Sequence, residues 1–394
     1  MRDWRTARLE EVAEVFGGGT PSRTDASYFG GNIAWATPTD VTSLNGFYIS
    51  GTKETVTETG LKNSSTKLLP AGAVLLTSRA TIGFTAVSTV PICTNQGFVN
   101  FVCGADLQPE FLAYWLRTQR EKMLQHAGGT TFKEIARGAL RKFEIAFPSL
   151  AEQRRIVDLL RRAEGIVRLR REAQRKAAEL IPAIFLDMFG DPAINRRRWR
   201  VIPLGDLIER FEGGKNIQAG DEGASNLRVL KISAVTSGHY IESESKPLPA
   251  DFAPQPSYFV RPGDLLFSRA NTEALVGATA LVEATDGQTL LPDKLWRFVW
   301  RNGVEVASAF MLQLLQQPAM RKLLSQLASG TGGSMKNISQ AKLKTLPVVI
   351  PPIDLQRQFA AKAEAARSIA ARQTAALVTA QAAFDTLLHR AFAA

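Results

Sequence analysis

Pro148-Ser149-Leu150-Ala151-Glu152-Gln153-Arg154 and, 203 residues later, Pro351-Pro352-Ile353-Asp354-Leu355-Gln356-Arg357 each open a long helical pattern. Upstream, Lys133, Ile135 and Leu140 return at the same offset as Lys336, Ile338 and Leu343. Earlier still, Leu75-Leu76-Thr77-Ser78-Arg79-Ala80 returns as Leu265-Leu266-Phe267-Ser268-Arg269-Ala270. Trp4-Arg5, Leu9, Glu14, Phe16, Gly18 and Gly19 return, 195 residues on, as Trp199-Arg200, Leu204, Glu209, Phe211, Gly213 and Gly214. Solenoid repeats run about 20 to 50 residues, so an offset near 200 marks a duplicated domain. Two copies of one frame that differ elsewhere suit a protein reading two different things at a fixed separation.

The 394-residue chain is 45% apolar and 22% charged, an ordinary globular composition with room for two or three domains. It lacks a long apolar run, and Met1-Arg2-Asp3-Trp4 is no signal region, so no membrane span is expected. The two cysteines, Cys93 and Cys103, make no disulfide framework; they read as small buried apolar residues and point to a reducing cytoplasm. The net charge of +11 is spread along the chain without a basic tail. Polyanion binding would therefore fall to surfaces of folded domains.

Each copy reads as a mixed α/β part followed by a long helix. The first opens with a helical pattern, then turn-rich Gly17-Gly18-Gly19-Thr20-Pro21-Ser22, then β-like Val74-Leu75-Leu76 and Phe98-Val99-Asn100-Phe101-Val102. A helix is predicted at about 109–126, stopped by Gly128-Gly129. In the second copy, Val229-Leu230-Lys231-Ile232 and Arg297-Phe298-Val299-Trp300 read as strands. A helix carrying Phe310, Leu314, Leu315, Leu323 and Leu327 should break or kink at Pro318. The first long helix opens on the capping box Ser149-Leu150-Ala151-Glu152. Ile156, Leu159, Ala163, Ile166, Ala173, Ala177, Leu180 and Ile184 then form a stripe that wants a partner helix. Arginines crowd the other faces, Pro182 predicts a kink, and Gly190-Asp191-Pro192 stops the element. The second long helix carries Phe359, Ala363, Ala366, Ile369, Leu377, Phe384 and Leu388; its alanines permit close approach to the first.

The expected architecture is α+β. Mixed α/β parts at 1–148 and 191–350 are separated by long antiparallel helices at 149–190 and 351–394, with an internal pseudo-two-fold. About 40 residues per helix span roughly 60 Å. A parallel coiled-coil dimer would not explain the duplication.

No catalytic constellation stands out. His126, His239 and His389 have no metal-like spacing with cysteine, and no Gly-x-Ser-x-Gly elbow occurs. Gly213-Gly214-Lys215-Asn216 lacks the first glycine and the Ser/Thr of a phosphate loop. Glu244-Ser245-Lys246 is half of a metal-nuclease pattern without a visible second acid. The chain is expected to carry out no covalent chemistry and to hold no metal.

The ordered motifs resemble those of the specificity subunits of type I restriction-modification enzymes, over nearly the full length. They are Gly18-Gly19-Thr20-Pro21-Ser22, then Tyr28, Gly31, Ile33, Trp35 and Asp40, Ser78-Arg79-Ala80-Thr81-Ile82-Gly83, Asn95-Gln96-Gly97, and Lys133-Glu134-Ile135 before Pro148-Ser149-Leu150-Ala151-Glu152-Gln153. The second set is Pro203-Leu204-Gly205-Asp206, Arg261-Pro262-Gly263-Asp264 and Gly333-Ser334-Met335-Lys336-Asn337-Ile338. It departs at Lys215-Asn216, set against Thr20-Pro21, and at Asp293-Lys294, set against Asn95-Gln96. The resemblance implies two target-recognition domains, each reading half of a bipartite site in double-stranded DNA. The helices would set the spacer and dock methyltransferase subunits, two per specificity subunit. Restriction and motor subunits would join that core, and S-adenosylmethionine, ATP and magnesium would belong to the partners.

Base readout needs paired donors and acceptors, with Arg suited to guanine and Asn or Gln to adenine. The first-domain candidates are Thr20, Ser22, Arg23, Arg79, Thr81, Asn95, Gln96, Thr130, Thr131 and Lys133. Those of the second are Lys215, Asn216, Lys231, Arg269, Asn271, Lys294, Ser334, Lys336 and Asn337. The neighbouring glycines would let the backbone approach phosphates, whereas the aligned basic residues could equally tie loops to carboxylates. Ile156, Leu159, Ala163, Ile166, Leu180, Phe359, Ile369, Leu377 and Phe384 are the candidate partner-binding positions.

Overall fold

Period-two alternation overrides the helical pattern at the N-terminus. Leu9 and Val12 are buried by one helical turn, after which Ala13 and Val15 point inward and Glu14 outward, as in a half-buried strand. The computed structural model describes residues 4–44, 46–129, 133–221, 225–330 and 335–393. The chain divides into two compact units, residues 1–174 with 373–394, and residues 175–372. Each unit thus takes part of each long helix.

In chain order, the first unit contains β1 (Arg5–Arg8), α1 (Leu9–Val12), β2 (Ala13–Gly17), β3 (Phe29–Ala36), α2 (Pro38–Thr42), β4 (Tyr48–Ile49), β5 (Glu54–Val56) and α3 (Glu58–Lys62). There follow β6 (Val74–Thr77), β7 (Thr85–Ser88), β8 (Ile92–Thr94), β9 (Phe98–Cys103), α4 (Pro109–Thr118), α5 (Arg120–His126), α6 (Arg137–Arg141), β10 (Glu144–Phe147) and the first part of α7 (Leu150–Phe189). Its sheets run β2-β9-β6-β7-β4, β5-β3-β8 and β1-β10. The helix expected at about 109–126 is two, α4 and α5, with Gln119 between them.

The second unit repeats the plan with β11 (Arg200–Pro203), β12 (Ile208–Gly213), β13 (Arg228–Leu230), β14 (Ser245–Pro247), β15 (Leu265–Ser268), β16 (Ala270–Asn271), β17 (Thr279–Leu281), β18 (Thr289–Leu290) and β19 (Leu295–Trp300). Then come α8 (Ser308–Gln316), α9 (Pro318–Leu327), β20 (Lys336–Asn337), α10 (Gln340–Lys344), β21 (Pro347–Ile350) and the start of α11 (Ile353–Phe392). Its sheets run β12-β19-β15-β17, β14-β13-β18, β11-β21 and β16-β20. The parallel pair β3·β8 of the first unit corresponds to the parallel pair β13·β18 of the second. Lys231 and Ile232 leave the strand expected there, because β13 ends at Leu230 and a short 3₁₀ helix begins. Pro318 separates α8 from α9, where its missing N–H costs nothing at a first helical position. Pro182 lies inside α7, which continues through it.

One strand register corrects the alignment of the copies. A β-bulge between Ile208 and Arg210 inserts Glu209 into β12, whereas β2 pairs with β9 without a break. Gly17 therefore corresponds to Gly213, and Gly18 to Gly214. The departure in the glycine loop is Gly19-Thr20 against Lys215-Asn216.

Each unit packs α7 and α11 in antiparallel fashion. In the first unit, Glu164 of α7 and Phe384 of α11 both meet Tyr114, while further along α7 Arg170 meets Gln373 and Gln174 meets Thr374. In the second, Phe185 and Phe189 pack on Phe359. Phe111 of α4 rests against Phe392, and its counterpart Phe310 of α8 rests against Phe189. The buried face of α7 is offset from the expected stripe. Ile156, Val157, Leu160 and Val167 point inward, whereas Leu159 and Ile166 are exposed, because the helix embraces the α4 side as well as α11.

A buried glutamine fastens each long helix to its sheet domain. Gln153 donates to the carbonyls of Asp106 and Pro148 at 2.8 and 2.9 Å and accepts from the Gln108 N–H at 2.9 Å. Gln356 donates to the Pro351 carbonyl at 2.8 Å and accepts from the Ala307 N–H at 3.1 Å. Gln108 and Ala307 are the N-caps of α4 and α8, so each glutamine satisfies an amide near a helix start.

Candidate nucleic-acid interface

Turns that follow the strand ends bring most of the first-unit candidates together. Gly19 N–H donates to the Thr94 carbonyl at 2.9 Å, joining the end of β2 to the β8–β9 turn. In that turn Asn95 accepts from the Gly97 N–H at 2.9 Å, and Thr20 hydrogen-bonds Gln96. Ser78 N–H reaches the Gly97 carbonyl at 2.8 Å, and Ala80 N–H reaches the Lys133 carbonyl at 3.0 Å. Thr20, Asn95, Gln96, Arg79 and Lys133 thus share one edge, with Thr81 exposed on the same loop. Arg79 faces Glu134 at 3.7 Å. Between Arg79 and Thr81, Ala80 has a φ of 60°, a left-handed conformation that costs a non-glycine residue about 1 kcal/mol. Such strain concentrates at functional loops.

Arg23 is engaged otherwise. Its guanidinium forms a bidentate pair with Glu54 at 2.7 and 3.2 Å and lies over the rings of Phe29 and Trp35. Ser22 is exposed and bonded to Thr24 at 2.8 Å. Thr130 and Thr131 lie outside the described residues. Asp40, one of the motif residues, is a cap: burial opposes its charge, but hydrogen bonds from Thr37 and the Lys53 N–H hold its carboxyl below the usual range.

The second unit builds the equivalent edge from different side chains. Arg269 donates to the Asp293 carbonyl at 2.9 Å and to Asn337 at 3.2 Å, and stands 3.8 Å from the Asp293 carboxylate. Its backbone bonds Lys294 and Ile338. Asn271 lies opposite Lys336 in the β16·β20 ladder. Lys215 bridges to Pro292, leaving Lys215 and Asn216 exposed beside them. Lys231 belongs elsewhere, its N–H bonded to the Glu244 carbonyl at 2.9 Å. Ser334 lies outside the described residues.

The glycines pack against the protein itself. A Cβ on Gly18 would stand 1.7 Å from the Asn95 carbonyl oxygen, and one on Gly214 would stand 1.7 Å from that of Leu291. The close approach attributed to phosphates is already filled by the chain's own backbone at both equivalent positions. Another tie, Arg297, had no signal beyond its strand pattern. It sits in β19 opposite Leu266, buried, 3.0 Å from Asp264 and donating to the Ser257 and Phe259 carbonyls at 2.6 and 2.8 Å. Burial keeps the Asp264 carboxyl above its ordinary range despite this partner. Only the tertiary placement of the Arg261-Pro262-Gly263-Asp264 turn shows the pair.

Of the candidate partner positions, Ile156, Phe359 and Phe384 are buried in the chain's own packing. Leu159, Ile166 and Ile369 are exposed, and Ala163, Leu180 and Leu377 are half-buried. Among the described residues no cluster of His, Cys, Asp and Glu is placed to hold a metal ion. No helix among them is long and apolar enough to cross a membrane.

Residues 1–178 match the family described as "Type I restriction modification DNA specificity domain". The type I restriction enzyme MjaIX specificity subunit of Methanocaldococcus jannaschii is 31% identical over 265 residues, 61% of this chain. The chain spans 60% of that relative's length. A structure described under complex assembly and conformational transition of the type I R-M system matches with a TM-score of 0.64 at 22% identity, covering 100% of this chain and 98% of that one. The type I restriction-modification S subunit from M. genitalium matches with a TM-score of 0.55 at 14% identity, covering 100% and 96%.

Proposed function

We propose that this chain is a non-catalytic DNA-specificity subunit, because residues 1–178 match the type I restriction modification DNA specificity family and the chain has the fold of type I S subunits. Each mixed part reads one half of a bipartite duplex site, and the domains are residues 1–148 and 191–350. One observation carries this reading: the same loop edge is built twice, on one hydrogen-bonded frame, with different side chains presented. The bonds from Ser78 N–H to the Gly97 carbonyl and from Ile135 N–H to the Ser78 carbonyl recur as Arg269 N–H to Lys294 and Ile338 N–H to Arg269. Arg79 opposite Glu134 recurs as Ala270 opposite Asn337. Arg269 therefore stands where the first unit has Ser78, Ala270 where it has Arg79, Asp293 where it has Gln96 and Asn216 where it has Thr20. The shared frame positions and the differing side chains specify, the division of labour that phosphate and base contacts show generally. Arg79 and Arg269 on the two edges, and Arg23 away from them, have carboxylate partners of their own, so exposed Thr81, Gln96, Lys133, Lys215 and Asn216 are the better placed to meet bases.

The helices α7 and α11, at 40 residues each, set the unread spacer, and their exposed apolar positions Leu159, Ile166 and Ile369 dock methyltransferase subunits, two per chain. Those partners supply S-adenosylmethionine and, with the motor subunits, ATP and magnesium chemistry, in the cytoplasm. The test is to replace residues 1–148 by the corresponding domain of a homologue and map methylated adenines genome-wide. One half-site should change while the other and the spacer stay fixed. A simultaneous change in both halves would refute the modular reading.

A further inference from the structure

The two units carry equivalent clefts with opposite chemistry. In the first unit a cleft of about 670 Å³ lies between α4, the 41–48 and 83–85 segments and the α7–α11 pair. Its rim holds Arg117, Arg120, Arg161, Arg168 and Arg171 against a single carboxylate, Glu164. Arg117 is committed to Glu164 at 2.8 Å and to Thr85 at 2.9 Å. Arg120 donates through Nε to the Ile82 carbonyl, and Arg161 lies over the Tyr48 ring. Neither these two nor Arg168 and Arg171 form an ion pair among the described residues. The floor is apolar, with Phe47, Val41 and the half-exposed Phe84.

The second unit's cleft, about 350 Å³, occupies the equivalent place beside α8, where Gln316 stands for Arg117 and Ile181 for Phe384. Along the long helices the charges are exchanged: Glu164 becomes Arg367, and Arg161 becomes Glu364. Arg367 is neutralised internally, at 2.6 Å from Glu283 and 2.7 Å from Glu364. The duplicated frame therefore does not require a cationic cleft; of these two clefts the first is the cationic one, with four guanidinium groups lacking a carboxylate partner among the described residues.

We propose that this cleft binds an acidic peptide segment of a protein partner, seating an apolar side chain against the half-exposed Phe84 and pairing its carboxylates with Arg120, Arg161, Arg168 and Arg171. Arginine holds carboxylates in forked, charge-assisted hydrogen bonds, and an aromatic-floored concavity of this size suits a side chain. A duplex presents its phosphates on a convex backbone and gains nothing from such a floor. The inference stands apart from the DNA reading, because it uses neither loop edge.

The test is a fluorescence-anisotropy titration of the full chain with a labelled peptide of Glu and Asp flanking a central Phe-Leu pair. Arg168→Glu with Arg171→Glu should weaken binding at least about tenfold, and Phe84→Ser should weaken it further. Glu242→Gln with Glu283→Gln, in the second cleft, should leave it unchanged. All these side chains are at least partly exposed, and an unaltered melting curve for each variant shows that folding is kept. Unchanged affinity after the double arginine reversal would overturn the proposal. So would displacement of the peptide by ATP, which marks a site for small anions, or by non-specific duplex, which marks a nucleic-acid surface.

Discussion

Replacing Gln153 by leucine tests whether one buried amide fastens the first long helix to its sheet domain. The side chain is fully buried and makes three hydrogen bonds, all to backbone. Leucine fills nearly the same volume but leaves the Asp106 and Pro148 carbonyls and the Gln108 N–H without this partner. An abandoned buried polar group costs about 1–3 kcal/mol. Asp106 is exposed, so its carbonyl can recover water, and two groups bear the penalty, about 2–6 kcal/mol together. For a unit of this size each kcal/mol moves the midpoint about 2–4 °C, which places the shift between about 4 and 24 °C. Differential scanning calorimetry of the full chain gives the shift, and hydrogen exchange at the Gln108 amide localises it. Gln356→Leu, with two bonds lost, should cost less and expose the Ala307 amide. A shift under about 2 °C for Gln153→Leu, with the Gln108 amide still protected, would refute the reasoning.

Gly18→Ala and Gly214→Ala should each destabilise by about 3 kcal/mol or more, since either Cβ collides with a carbonyl oxygen; urea unfolding with equal midpoints for variant and parent would show the approach to be soft. Arg297→Met should cost about 3 kcal/mol by leaving the half-buried Asp264 with the Arg261 N–H but no cation, and Asp264→Leu added to it should restore part of the loss in the same assay. Burial pushes the Cys93 thiol up to about 11 and the Cys103 thiol up to about 12. Both should therefore resist iodoacetamide at pH 8 in the folded chain and react after denaturation. The same shifts favour the protonated native state: their stabilisation is complete below the unfolded thiol value near 8.5 and declines as pH rises toward 11 and 12. Loss of native stability on lowering the pH from 9 to 7 in a Cys-dependent way would contradict that sign.

The order of elements, the duplication and the long helices were legible in the sequence, because apolar periodicity, Pro148 and Pro351 and the shared Gln153 and Gln356 are local signals. Three things were decided only by tertiary structure. Strand pairing placed a bulge at Glu209 and moved the glycine correspondence by one residue, which no alignment of short motifs registers. The inward face of α7 depends on what surrounds the helix, so Val157 and Leu160 displaced Leu159 and Ile166 from the core. The candidate arginines acquired partners from distant segments, Glu54 for Arg23 and Asn337 for Arg269, separated by 31 and 68 residues. Periodicity reports what a residue's own segment will do; which residues meet across segments is set by packing of the folded chain.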